Sequence, residues 1–128
     1  MTTAEQIEEA PEWAAARNDW RAQADGALAN LREALASAAP GALARETVYG
    51  PVHDMAGLAP VFQYELMGQA ARSLMEKLRH GPDPLDAPAI EMAKAYVSAL
   101  TALHAKDVRG PVGADGEALL AKLASAGI

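Results

Sequence analysis

A chain of 128 residues without a single cysteine and with a formal charge of −6 is long enough to bury one core, and it excludes disulfides, thiolate metal sites and a cysteine nucleophile. Seventeen Asp/Glu against eleven Lys/Arg repel a phosphate backbone, and Arg17, Arg21, Arg32, Arg45, Arg72 and Arg79 are scattered and form no basic stripe, so nucleic-acid binding is disfavoured. Alanine supplies 31 residues while Val, Ile and Thr together supply 13, a balance that favours helix over strand through side-chain entropy.

The fold class expected is therefore all-α: a single-domain helical bundle over residues 1–128, with three main helices plus short N- and C-terminal helices. Only six aromatic residues are present, so the core must come from Leu, Met and Ala. Such a core is thin for a monomer, and self-association would enlarge it. No stretch approaches the roughly 20 apolar residues of a membrane span, and the acidic start has no apolar targeting region. A soluble cytoplasmic protein is expected. The abundance of Ala and the preference for Arg over Lys suggest a high-GC bacterial source or a phage of such a host.

Residues 1–10 form an acidic segment in which Thr3-Ala4-Glu5-Gln6 has the form of a capping box, predicting a short helix to about Glu9. Glu5, Glu8, Glu9 and Glu12 make an ExxEExxE run that resembles the first half of the magnesium site in all-α nucleotide pyrophosphohydrolases of the MazG kind. That resemblance implies divalent ions holding phosphates. The other reading is a solvated acidic N-terminus: Pro11 interrupts the helix the motif needs, and no ExxD follows. The expectation is no metal and no cofactor.

Pro11 suits the first turn of a second helix over residues 11–37, along which Trp13, Trp20, Ala24, Leu28, Leu31 and Leu35 gather on one face. Core packing accounts for the two tryptophans; exposed, they would make interface anchors. They are the candidate interface residues. The Ala39-Pro40-Gly41 cluster ends this helix, and residues 43–48 could add one or two turns before Gly50-Pro51 breaks the chain.

Residues 46–60 read as an irregular connection holding Tyr49, His53 and Asp54 among Gly and Pro residues, longer than helix joins need and hence a place for function. An adjacent carboxylate can raise an imidazole's pKa, and Tyr49 could supply a hydroxyl, so these three are the catalytic candidates. As plain turn residues, Asp54 would instead cap a turn over residues 55–58.

Ala59-Pro60 is expected to open the next long helix, with Phe62, Leu66, Met67, Ala70, Ala71, Leu74, Met75 and Leu78 inward and a stop at His80-Gly81. Glu76 and His80 lie four apart near Asp83, but a His at a helix C-terminus is explained by the helix dipole. Asp86 should cap a further helix, with Pro88 in its first turn, ending near Asp107; Asp115 should cap a short last one. Tyr64, Glu65, Tyr96 and His104 are the candidate ligand-binding residues, should the tyrosines and His104 surround a pocket.

Two functions fit. The first is a non-catalytic helical interaction protein, an adaptor, regulator or assembly component with a protein partner or a homodimeric state. The alternative is a small helical enzyme or ligand-binding protein using residues 46–60.

Overall fold

The computed structural model describes residues 10–125, and every regular element in that range is helical. The chain runs through α1 (Pro11–Ser37), α2 (Arg45–Leu58), a 3-10 turn (Pro60–Phe62), α3 (Glu65–Arg79), α4 (Ala87–Ala105) and α5 (Ala114–Ala124). The predicted N-terminal helix and the carboxylates Glu5, Glu8 and Glu9 lie outside the described residues. Among the described residues no helix is long and apolar enough to cross a membrane.

Pro11 stands in the first turn of α1, and Trp20, Ala24, Leu28, Leu31 and Leu35 are its buried stripe, as their three- and four-residue spacing requires. This stripe packs mainly on α4, and α4 packs in turn on α3. Asp86 caps α4 by accepting the Ala89 N–H at 2.9 Å, and Pro88 sits in the first turn. The stop after Arg79 falls where expected, although Gly81 does not take the left-handed conformation. In α5 the N-cap is Gly113, and Asp115 instead lies in the first turn, where a negative charge faces the helix dipole favourably.

The largest correction concerns residues 46–60. They are not an irregular connection: α2 runs through Gly50-Pro51 to Leu58. A proline inside a helix costs about 3 kcal/mol through the lost N–H and the ring clash. Val48, Val52, Met55 and Ala56 are all buried at helical spacing, and burial of each larger one returns about 1.5–3 kcal/mol. Burial wins. The first turn of α2 is capped from a distance, since the Arg45 N–H donates to Asp83 Oδ1 at 3.0 Å.

The second correction follows it. Ala59-Pro60 opens only the 3-10 turn, which ends at Gln63 in the left-handed region with φ 71°; the long helix starts at Glu65. The Tyr64 N–H reaches back to the Ala59 carbonyl at 2.9 Å, folding the Pro60 ring down on α3. It lands on Gly68, where a Cβ would stand 2.6 Å from Pro60 Cγ. The helix carries a glycine where the ring comes down on it.

Candidate functional site

The catalytic candidates lie together on the outer face of α2. Tyr49 and His53, one helical turn apart, stack with ring centroids 5.9 Å apart, and Tyr49 Oη accepts from Arg79 Nη2 at 3.3 Å. His53 Nδ1 is 3.7 Å from the Asp54 carboxylate, but the side chains are 61% and 79% exposed. They line none of the four principal hollows of the described residues, and Asp54 caps nothing because its helix continues to Leu58. The Glu76, His80 and Asp83 trio is also unassembled: Glu76 pairs with Arg79 at 3.0 Å, His80 stands off at 3.8 Å, and Asp83 serves Arg45. Among the described residues no group of three carboxylates or imidazoles could hold a metal ion.

A different set of polar residues converges where α1 meets the C-terminus of α4. Arg21 and Asp25, one turn apart on α1, border the buried stripe of that helix and face His104 and Asp107. Arg21 donates to the His104 carbonyl at 2.9 Å, to Asp107 Oδ1 at 3.1 Å and to Tyr64 Oη at 3.2 Å. A cation on the last carbonyls of α4 is favoured by the helix dipole. The Tyr64 hydroxyl donates to Asp107 Oδ1 at 2.5 Å. Burial pushes the Tyr64 phenol up from its ordinary value, the bond to Asp107 adds to the rise, and Arg21 works against it.

His104 is buried, with Nε2 2.7 Å from Asp25 Oδ1. The carboxylate selects the tautomer that carries its proton on Nε2, and Nδ1 is left buried without a partner. Trp20 roofs the cluster, stacked on Tyr64 at 5.6 Å and on Phe62 at 5.7 Å, with its edge toward the His104 ring at 6.5 Å.

Asp107 holds this arrangement from a costly position. It lies in the left-handed region at φ 54°, where its N–H bonds to the His104 carbonyl and the next N–H, of Val108, to that of Leu103. These two bonds form the Schellman ending that glycine usually occupies. An aspartate there accepts about 1–2 kcal/mol of backbone strain. Its carboxylate offsets the strain by taking the bonds from Tyr64 and Arg21.

Of the four ligand-binding candidates, Tyr64 and His104 thus come together around Trp20. Tyr96 does not join them; its hydroxyl pairs with Ser73 Oγ at 2.6 Å between α3 and α4, and burial raises its pKa. Glu65 lies in the first turn of α3 and lines an open hollow with Gln69 and Pro111. None of the four principal hollows is lined by Tyr49, His53, Asp54, Tyr64, Tyr96 or His104.

The two interface candidates separate. Trp20 is buried at 6% exposure, whereas Trp13 is half-buried against Phe62, ring centroids 5.3 Å apart. Among the described residues the large apolar side chains standing exposed are Leu58, at the end of α2, and Val61, in the turn that carries Phe62. Sequence reasoning missed Arg21, Asp25 and Asp107. The signal within reach was an Arg and an Asp four apart beside an apolar stripe, a spacing that puts both on one helix edge.

Comparison with protein-family models, with curated proteins and with solved structures finds no match for this chain.

Proposed function

We propose that this chain is a non-catalytic helical interaction protein, an antiparallel bundle that forms a homodimer and works in the cytoplasm as an adaptor, regulator or assembly component. One observation carries the reading: among the described residues the Tyr64–Arg21–Asp107, His104–Asp25 and Tyr96–Ser73 groups are spent on the fold, Tyr49, His53 and Asp54 stand on an outer helix face, and Tyr49, His53, Asp54, Tyr64, Tyr96 and His104 line none of the four principal hollows. Tyr64, Arg21 and Asp107 satisfy one another, His104 is held by Asp25, and Tyr96 is held by Ser73. A catalytic or ligand site needs convergent groups at a concave surface. The apolar ledge of Leu58 and Val61 beside the Trp13–Phe62 pair is, by contrast, what a partner would cover. With its net charge of −6, the chain meets protein and not nucleic acid.

Sedimentation velocity over a wide concentration series tests the reading. A reversible dimer is expected, and a monomer at every concentration refutes it. The alternative, ligand binding from residues 46–60, has the exposed Tyr49–His53 stack beside Arg79 in its favour. Native mass spectrometry decides between them: a retained mass that disappears in His53→Ala, with the fold intact, would put the alternative first.

A further inference from the structure

Between α1 and α4 runs a groove of 610 Å³ whose lining takes no part in the Arg21–Tyr64–Asp107 cluster. Leu35 and Val97 lie buried beneath it, and Ala36, Ala102 and Ala105 line its exposed sides. These small side chains leave room for larger ones to enter. Its charged lining is cationic, Arg32 and Lys94. Lys94 pairs with Glu91 at 3.1 Å, whereas Arg32 donates to the neutral Thr101 hydroxyl at 3.0 Å and forms no ion pair among the described residues.

The ledge has the opposite character. Leu58 and Val61 are 43% and 50% exposed, large where the groove is small. Asp54 stands one turn before Leu58 on the same face of α2 and puts a carboxylate, 79% exposed, at the edge of the ledge. Phe62 fixes the ledge at the Trp13 end of α1. At about 1.5 Å per residue, Trp13 and Leu35 are roughly 33 Å apart along that helix. The ledge cannot fill the groove of its own chain.

We propose that the ledge of one copy seats in the α1–α4 groove of a second copy, Leu58 and Val61 entering between Ala36 and Ala102 while Asp54 meets Arg32. In the dimer this exchange happens twice about a twofold axis, as an isologous interface requires. The assignment rests on the self-association reading above and adds which surfaces meet.

The test uses the full chain in three forms: wild type, a ledge variant (Leu58→Glu with Val61→Glu) and a groove variant (Ala102→Glu). All three altered positions are exposed, and circular dichroism checks that each variant folds. Each variant alone should raise the dimer Kd about tenfold or more, the loss expected when a central anchor or its pocket is spoiled. An equimolar mixture keeps one intact ledge and one intact groove, so it should form a mixed dimer tighter than either variant forms with itself. A wild type that stays monomeric, including one that binds only a foreign protein, overturns both readings. A wild-type dimer that neither variant weakens, or variants that do not recover on mixing, overturns this assignment alone.

Discussion

Two regions of this molecule hold the same three residue types and put them to opposite use. On α2, Tyr49, His53 and Asp54 are neighbours in sequence, yet they stand on an outer helix face with the imidazole and carboxylate in water. At the joint of α1 and α4, Tyr64 meets His104 and Asp107, which share the end of α4 and of which Asp107 lies 43 positions from Tyr64, under Trp20, tied by Arg21. Contiguity along the chain is therefore no measure of convergence in space. The energetics differ accordingly, because Tyr64 and His104 are buried, and a buried polar group that loses its partner costs more than an exposed pair.

The contrast can be broken by substitution. Trp20→Ala removes the roof of the inner cluster and should cost about 3–5 kcal/mol in denaturant unfolding, as for other buried large aromatics. Arg21→Ala should cost about 1–2 kcal/mol, since its partners are charged or buried but its own side chain is 25% exposed. A loss no larger than that of His53→Ala would mean that the cluster does not tie α1 to α4.

Asp107 sharpens the comparison further. Asp107→Ala keeps the left-handed strain and loses the carboxylate, whereas Asp107→Gly loses the carboxylate but relieves the strain, so the glycine variant should be the more stable by about 1 kcal/mol. Equal stabilities would show that the strain is not stored at this residue. Titration gives a smaller signature. Burial holds Tyr64 and Tyr96 above the ordinary value of 10.0, so the unfolded chain releases those protons first as pH rises. Their contribution is complete below about pH 10 and fades as pH climbs through the folded values. Tyr64→Phe and Tyr96→Phe should each flatten that alkaline decline in thermal unfolding. The smallest effect belongs to the outer face, where His53→Ala should change stability by less than about 0.5 kcal/mol.

Much of the helical content was legible. The α1 stripe, the Asp86 cap and the stop after Arg79 follow from spacing and local backbone chemistry, which act within a few residues. α2 was not legible, because Gly50-Pro51 is a local breaker and the force that overrides it is burial of Val48, Val52 and Met55 against α3. Long-range packing leaves only a weak trace in a single sequence. The same holds for the inner cluster: Tyr64 and His104 were singled out, but their partners Arg21, Asp25 and Asp107 lie 43, 79 and 43 positions away from them. Of the tryptophan pair, periodicity gave both the same face, and only the ends of neighbouring elements decide that Trp20 is covered and Trp13 half-covered.

The Pro60 ring on Gly68 carries a consequence for how this sequence can change over time. A helix-interior glycine gives up about 1 kcal/mol relative to alanine, so drift and selection for stability would both replace it if the position were free. It is not free while the proline stands above it. Positions 60 and 68 form a pair in which alanine at 68 becomes tolerable only after the ring at 60 is gone. Gly68→Ala should destabilise the chain alone and recover when combined with Pro60→Ala. Any divergent descendant that has lost this proline is then the one in which a side chain should be found at 68, which makes the two positions a covarying signature by which distant kin of this chain could be recognised.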